Sequence, residues 1–284
     1  MRKSTTNTRV TPGWMKKPIG GLAFLCVLVV IGTGVFWNSE VAKRYTGSTA
    51  QPASNNTAVD GRPDTTKLLA WYSMEEPDSS SVRMDAHGSH HYSNIVAPAN
   101  GAAAGLVGNA VELGKGHFRT ASNAPSFPLD VTKDFTVVTW VYIPSGASGD
   151  PYLWRTGGGP ANVRIQARLG NPDYVLITRT EASAEYLINS DDFELDTWQM
   201  VTLRYQAQTN TAQLLVDTNI AESDTFATPL VGPTAREARI QGNGASILLD
   251  EQSLWQAYLS DEELAWLYNA GTGRSYADLK PSLP

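Results

Sequence analysis

Residues 247–271 read ILLDEQSLWQAYLSDEELAWLYNAG and contain two kinds of periodicity in succession. The first part, 247–255, is a mainly apolar run that carries the carboxylates of Asp250 and Glu251. A short apolar run of this length predicts a buried strand. The second part predicts a short helix. The other strands of the chain are therefore interpreted as the partners of this carboxylate-bearing strand.

The helix that follows has a full set of N-terminal signals. Ser260 is suited to cap the first turn, and Glu263, three residues further on, completes a capping box. Leu259 and Leu264 supply a hydrophobic staple across the same turn. Gly271 lies where a left-handed residue would end the helix. The pattern predicts one short helix whose apolar face docks on a core.

From Leu68 onwards the chain consists of short segments rich in β-branched and aromatic residues, separated by glycine-containing turns. We predict strands at 68–73, 109–113, 117–120, 135–143, 151–155, 162–169, 174–179, 185–188, 199–205, 212–217, 239–241 and 247–255. So many strands, with almost no helix before Ser260, predict an all-β fold of two packed antiparallel sheets, a jelly-roll sandwich. An up-and-down barrel is the structural alternative.

The N-terminal region predicts a membrane anchor. Residues 1–17 form a basic tail, and residues 18–37 (PIGGLAFLCVLVVIGTGVFW) carry no charge. As a helix, a run of this length spans roughly 30 Å, about the hydrocarbon thickness of a bilayer. Trp14 and Trp37 flank the run where interfacial aromatics lie. The positive-inside rule predicts a cytoplasmic N-terminus and an extracytoplasmic body, with a cleaved signal peptide as the alternative.

Residues 38–67 are rich in Ser, Thr, Asn, Pro and Gly, which predicts a flexible linker. Five basic and no acidic residues precede Trp37, so 22 − 5 = 17 basic residues remain against 28 acidic ones, a net charge of −11. An acidic body repels phosphate backbones, which argues against nucleic acid as a partner. Cys26 is the single cysteine, which excludes an intrachain disulfide.

Seven short motifs occur in an order that resembles the bacterial laminin-G-like family with the concanavalin A-like jelly-roll fold. They are LAWYSME (69–75), DAHGSHH (85–91), GNAVEL (108–113), FTVVTWV (135–141), DTWQMV (196–201), LVD (215–217) and the closing pair LDE (249–251) and YNAG (268–271). The sequence departs from the family pattern at Tyr92, Gln199 and Thr218. The resemblance implies a laminin-G-like domain over 68–284, held in the periplasm or at the surface of a bacterium.

In this family, the resemblance implies, Asp85 and Asp250 can help to hold a structural Ca²⁺. A hard cation prefers carboxylates and backbone carbonyls, which a glycine-bearing loop can present. The alternative is that Asp85 caps its own turn and Asp250 makes a hydrogen bond at a sheet edge. A zinc site on the clustered histidines is a weaker hypothesis. These are His87, His90, His91 and His117.

Catalysis needs consideration because the same fold carries glycoside hydrolases and alginate lyases. A retaining glucanase needs a Glu-x-Asp-x-x-Glu strand that places a nucleophile and an acid on one face. The nearest sequence, ELDTWQ at 194–199, ends in Gln199, which cannot serve as the acid. We therefore predict a protein without catalytic activity.

The function predicted from these features is a binding or adhesion module that recognises a glycan or an envelope protein. Aromatic rings stack on sugars and arginine offers planar donors, although core packing is the alternative for each candidate. The candidate contacts are Tyr92, Trp154, Arg155, Tyr174 and Tyr186. Two further hypotheses are a degenerate carbohydrate-active enzyme, a hydrolase or lyase, and a scaffold subunit of an envelope complex.

Overall fold

The computed structural model describes residues 59–77, 81–94, 102–114, 116–120, 127–157, 163–169, 174–180, 185–189, 193–230 and 237–280. Within 174–180 and 185–189 it describes the backbone. The predicted basic tail 1–17, the predicted membrane segment 18–37 and most of the predicted linker lie outside these ranges. In the part of the chain that is described, no helix is long and apolar enough to span a bilayer.

Sixteen strands and two short α-helices make up the described fold. The strands are β1 (Leu68–Tyr72), β2 (Val82–Arg83), β3 (Tyr92–Asn94), β4 (Ala102–Ala104), β5 (Asn109–Leu113), β6 (His117–Thr120), β7 (Phe135–Tyr142), β8 (Tyr152–Gly157), β9 (Arg164–Leu169), β10 (Tyr174–Thr180), β11 (Glu185–Asn189), β12 (Trp198–Gln206), β13 (Thr211–Val216), β14 (Asn219–Thr225), β15 (Glu237–Gln241) and β16 (Ile247–Trp255). The helices are α1 (Asp261–Tyr268) and α2 (Tyr276–Leu279).

The strands form two eight-stranded sheets. Sheet A has the order β14-β13-β12-β7-β16-β5-β4, with β1 also paired to β16, and sheet B has the order β11-β10-β9-β8-β15-β6-β3-β2. The pairings within each sheet are antiparallel. The predicted two-sheet jelly-roll sandwich is therefore confirmed, and the alternative of an up-and-down barrel is wrong.

Strand β16 has three neighbours. It pairs with β7 along one side, with β5 through its first residues and with β1 through its last residues. The register with β7 shifts between Asp250 and Ser253, where β16 changes from one short neighbour to the other. Strand β16, which the sequence predicted to be central, thus joins the two parts of sheet A. Strands β14, β13, β12 and β7 lie on one side of it, and β5, β4 and β1 lie on the other.

The two sheets differ in how their strands are buried. In sheet A, β7 reads FTVVTWVY and is buried at every position except Tyr142. In sheet B, β6 reads HFRT and alternates between half-buried and buried side chains. One core fills the space between the sheets. A second apolar layer, which includes Trp140, Trp255, Leu264 and Leu267, lies between sheet A and α1.

Helix α1 begins as the sequence predicts. The Ser260 side chain accepts the backbone N–H of Glu263 at 3.2 Å, and the Glu263 carboxylate accepts the backbone N–H of Ser260 at 2.8 Å. The helix ends earlier than expected, because Asn269 adopts the left-handed conformation (φ 48°, ψ 49°) and caps it. Gly271, also at positive φ, closes the 3₁₀ turn that follows.

The folded domain begins before Leu68. Residues Val59–Gly61 and Thr65–Lys67 form 3₁₀ turns. The Arg62 guanidinium lies 5.5 Å from the ring centre of Trp266 on α1. Residues 59–67 thus form 3₁₀ turns beside the domain, and the predicted linker over 38–67 remains a prediction for its other residues, which lie outside the described ranges.

Candidate functional site

The outward face of sheet B carries four arginines in one row. Phe118 and Ile240 on neighbouring strands point into the core, so the residues that alternate with them point outward. In the strand register, Arg119 on β6 lies opposite Arg239 on β15. Arg239 also lies opposite Arg155 on β8, and Arg155 lies opposite Arg164 on β9. We call this set the arginine row; it consists of Arg119, Arg239, Arg155 and Arg164.

Two of these guanidinium groups are held by one aromatic ring. The Arg155 guanidinium lies 4.9 Å from the ring centre of Tyr152, and that of Arg164 lies 5.5 Å from it. Cation–π contacts of this kind fix a flexible cation in place before a ligand arrives. A ligand that binds these groups therefore loses less side-chain entropy than one that must order them.

One carboxylate partly neutralises the row. Glu237 is buried and forms an ion pair with Arg239. The distance from Arg119 Nη1 to Glu237 Oε2 is 3.6 Å. The side chains of Arg119 and Arg239 are 36% and 23% exposed, so their charged groups remain accessible to solvent. Four guanidiniums and one carboxylate give this face a local excess of positive charge in an acidic protein.

His117 lies beside the row and responds to its charge. Burial lowers the pKa of His117, and the charges of Arg239, Arg119 and Arg155 lower it further, against a smaller opposing effect of Glu237. The imidazole is therefore held neutral at pH values where an isolated histidine begins to be protonated. The arginine row thus creates a positive electrostatic potential at the outward face of sheet B.

The arginine row by itself is unfavourable for folding. Like charges directly opposite one another on neighbouring strands destabilise a sheet by about 0.2–1 kcal/mol per pair. The row contains three such neighbouring pairs. Groups placed against the preference of the fold are typical of functional sites.

Of the candidate contacts predicted from sequence, Arg155 lies in the row. Tyr92 and Trp154 instead lie fully buried in the core. The Tyr92 ring stacks on Tyr72 with the centres 4.0 Å apart, and its hydroxyl donates to Gln252 Oε1 at 2.8 Å. Because both buried rings contact other core side chains, a ligand on the surface does not reach them.

The remaining two candidates, Tyr174 and Tyr186, lie on strands whose backbone alone is described. In the ladder, Tyr186 is opposite Arg179, and Arg179 is opposite Arg164. These two positions therefore continue the arginine row across β10 and β11. Tyr174 begins β10 and pairs with Leu169.

Asp85 organises the loop that follows β2. Its Oδ1 accepts the backbone N–H groups of Trp71 and His87, both at 3.0 Å, and its Oδ2 accepts that of His90 at 3.1 Å. Its own N–H donates to Nδ1 of His91 at 2.9 Å. Asp85 thus ties the loop to β1, as the turn-capping alternative predicts.

Asp250 and Glu251 are buried at the register shift of β16. Asp250 Oδ2 accepts the backbone N–H of Val107 at 2.9 Å, and its Oδ1 accepts that of Glu251 at 2.8 Å. The Trp71 indole N–H donates to Glu251 Oε2. Burial raises the pKa of Asp250 to about 7. Burial, together with the neighbouring charge of Asp250, raises the pKa of Glu251 to about 9.

This arrangement does not fit a ready-made calcium site. The oxygens of Asp85 and Asp250 accept N–H groups, so an ion would have to displace those bonds. Among the described residues, no three His, Cys, Asp or Glu side chains converge on a point that could hold a metal ion. Ca²⁺ binding at Asp85 and Asp250 remains a prediction.

The histidines of the zinc hypothesis make separate contacts. His87 Nδ1 lies 3.2 Å from the Tyr276 hydroxyl, and the His90 ring packs edge-on against Phe127 with the centres 5.4 Å apart. His91 accepts the N–H of Asp85, and His117 lies on β6 beside the arginine row.

The glucanase-like sequence 194–199 forms hydrogen bonds that hold the loop at Ser145 in place. Asp196 adopts a left-handed conformation (φ 58°), and its Oδ1 accepts the backbone N–H of Ser145 at 2.8 Å. The Glu194 N–H donates to Gln199 Oε1 at 2.7 Å. The hydrogen bonds from Ser145 lower the pKa of Asp196.

Two eight-stranded antiparallel sheets, with helix α1 packed on the outward face of one of them, define a jelly-roll sandwich of the concanavalin A-like class. The chain belongs to the Laminin_G_3 family, described as the concanavalin A-like lectin/glucanases superfamily. The family model matches residues 114–265, more than half of the 284 residues. The resemblance inferred from the seven motifs is therefore confirmed. No match was found among curated proteins.

Solved structures share the fold at low sequence identity. The binding domain of botulinum neurotoxin DC, in complex with rat synaptotagmin II, aligns over 73% of this chain and 52% of its own, with a TM-score of 0.56 and 11% identity. The binding domain of Paraclostridial Mosquitocidal Protein 1 aligns over 73% and 53%, with a TM-score of 0.55 and 14% identity. This chain thus spans about half the length of these toxin domains.

Domain 4 of AbnA, a GH43 extracellular arabinanase from Geobacillus stearothermophilus, was solved in complex with arabinotriose. It aligns over 73% of this chain and 98% of its own, with a TM-score of 0.53 and 14% identity. This likeness, like the others, establishes the shared fold.

Proposed function

We propose that the laminin-G-like domain is a glycan-binding module without catalytic activity, held outside a bacterial membrane by residues 18–37. The observation that carries this proposal is the difference between the outward faces of the two sheets. Helix α1 covers the outward face of sheet A with apolar side chains. The outward face of sheet B keeps partly exposed, pre-positioned polar groups, which is how a ligand surface differs from a packing surface.

The structural neighbours support this proposal. One is a domain of an arabinanase bound to a short sugar chain, and others are toxin binding domains. A fold can host many functions, so the site carries the argument and the neighbours add to it.

The test is a binding assay of the full-length chain in non-ionic detergent against a panel of neutral and acidic polysaccharides. We expect retention by at least one polysaccharide. Retention by none, together with capture of an envelope protein from the same cells, would favour the scaffold hypothesis instead.

The proposal that the module is non-catalytic has its own test. Buried carboxyls with raised pKa values are typical of catalytic acids, but Asp250 and Glu251 are 0% and 2% exposed and have no access to a substrate. Reducing-sugar and unsaturated-sugar release is measured over the same panel. Turnover that disappears in Glu194→Gln or Asp196→Asn would contradict the proposal.

The anchor proposal is tested by topology. A reporter that is active only outside the cytoplasm, fused after Pro284, is expected to be active. Its activity is expected to be lost when the segment 18–37 is deleted. An extracytoplasmic protein of reduced mass, released from the membrane, would instead show cleavage as a signal peptide.

The family resemblance also motivates the proposal that Ca²⁺ stabilises the domain at Asp85 and Asp250, which requires the ion to displace the N–H groups that these carboxylates accept. A ligand that binds only the folded state raises the melting temperature. We expect Ca²⁺ to raise it, EGTA to reverse the rise, and Asp250→Asn to remove the response. An unchanged melting temperature would rule out the ion.

A further inference from the structure

We infer that the arginine row binds a linear acidic polysaccharide with a carboxylate on each sugar residue, a polyuronate. This inference rests on the proposed function as a glycan-binding module and specifies the chemical class of its ligand. The row presents Arg119, Arg239, Arg155 and Arg164 on four adjacent strands. None of Arg119, Arg164 and Arg239 is recognisable from sequence alone as part of a site.

The shape of the row favours a polymer over a single small anion. Neighbouring strands are about 4.8 Å apart, so the four arginine positions follow one another across the sheet at about that backbone spacing. A pocket for a small anion would need them to converge on one point. A line of cations suits a chain that carries one charge per repeat better than it suits a single small anion.

The chemistry of the side chains favours carboxylates. Guanidinium groups bind carboxylates through two parallel hydrogen bonds, in a geometry that lysine does not offer. Among the residues that the structure describes, the Nε atoms of Arg155 and Arg239 are buried and have no hydrogen-bond partner. The Glu237 carboxylate already occupies one end of the row, between Arg119 and Arg239, and shows the kind of group that the row accepts.

The same contacts argue against neutral sugars and nucleic acid on this face. Both would use aromatic rings as stacking platforms. The ring of Tyr152, however, is occupied by the guanidiniums of Arg155 and Arg164.

The experiment compares polygalacturonate with the same polymer after complete methyl esterification, which removes the charge and keeps the sugar chain. Binding to the full-length chain in non-ionic detergent is measured by biolayer interferometry over a series of NaCl concentrations. We expect binding to the acid form that weakens steeply with salt. We expect binding of the ester to be at least about tenfold weaker, because the charge-assisted bonds are lost.

A matched pair of double variants locates the site. Arg119→Gln with Arg155→Gln is expected to weaken binding about a hundredfold, or roughly tenfold for each lost guanidinium. Lys67→Gln with Lys133→Gln changes the net charge equally at exposed positions away from the row and is expected to leave affinity within about twofold. Equal loss in both double variants, or equal binding of acid and ester, would overturn the inference.

A second readout does not depend on the folding of a variant. Bound carboxylates counter the guanidiniums around His117, so polygalacturonate is expected to raise the pKa of His117 in an NMR titration. An unchanged His117 titration at saturation would place the ligand elsewhere. Polyglutamate or oligodeoxythymidylate binding as tightly as polygalacturonate would contradict a polysaccharide ligand.

The outcomes separate this inference from the proposed function. If the chain binds a neutral polysaccharide and not polygalacturonate, the module is a glycan binder and the arginine row is not its site. If it binds neither, both fail.

Discussion

The outward faces of the two sheets are built from strands with opposite patterns of burial. In sheet A, strands such as β7 and β16 are buried on both faces, and α1 covers the side that the core does not. In sheet B, strands such as β6 and β15 alternate, and the outward side carries arginines. The covered outward face of sheet A therefore contributes stability, whereas the open outward face of sheet B tolerates charges that do not stabilise the fold.

The largest effect is expected on the covered face. Trp140 is 2% exposed and stacks on Tyr268 with the ring centres 5.6 Å apart. Trp140→Ala leaves a cavity between sheet A and α1, and we expect it to reduce the free energy of unfolding by about 3–5 kcal/mol. Urea denaturation followed by circular dichroism measures this. A reduction below about 1 kcal/mol would show that the layer is not tightly packed.

The next effect concerns pH and the buried carboxyls of β16. The folded-state pKa of Glu251, about 9, is above its ordinary value of 4.5, and that of Asp250 is raised in the same direction. The folded state therefore retains protons that the unfolded chain releases. Stability is greatest below the ordinary pKa and declines as pH rises towards the folded-state values.

We expect the free energy of unfolding to fall by up to about 3 kcal/mol between pH 6 and pH 8 from Glu251 alone. Glu251→Gln keeps an acceptor for the Trp71 indole N–H and removes the titration, so it is expected to flatten this dependence. Urea denaturation at several pH values provides the measurement. An equally steep dependence in the variant would assign the titration to another group.

A smaller effect is expected at the N-terminus of α1. Ser260→Ala removes the acceptor for the Glu263 N–H and is expected to cost about 1 kcal/mol. Ser275→Ala, in the capping box of the four-residue helix α2, is the matched control and is expected to cost less. Thermal denaturation of both variants tests the order. The reverse order would mean that α2, rather than α1, stabilises the domain.

The smallest effect on stability is expected in the arginine row. Arg155→Gln removes one member of two opposed like-charge pairs and also the cation–π contact with Tyr152. These effects oppose each other, so we expect the free energy of unfolding to change by less than about 1 kcal/mol. Its melting temperature is compared with that of Lys133→Gln. A clear loss in Arg155→Gln would show that this side chain supports the fold, and the contrast between the two faces would no longer hold.

The strong strands were predictable because their patterns are local. Strand β16 was predicted at its observed bounds, and the capping box of α1 was predicted residue by residue. Strand β14 was not predicted, because NIAESDT is polar and mostly exposed and shows no apolar alternation. Edge strands need one neighbour and little burial, so their sequences carry a weak signal.

The arginine row could not be read from the sequence for a different reason. Each arginine is an ordinary outward residue of its own strand, such as Arg119 in HFRT or Arg239 in EARIQ. They form a row only because β15 lies between β6 and β8, an order that differs from the order of the chain. Conversely, Tyr92 and Trp154 were candidate contacts because they are aromatic, and burial placed them in the core.

The three neighbours of β16 also determine the order in which the domain can be completed. Trp71 on β1 and its acceptor Glu251 on β16 are 180 residues apart, and ladder pairs at such separations form slowly because a long loop must close first. During synthesis β1, β5 and β7 exist before their shared neighbour and present open edges. A chain that stops short of residue 247 leaves three strands prone to pair with other molecules, so the last strand made is also the domain's protection against aggregation.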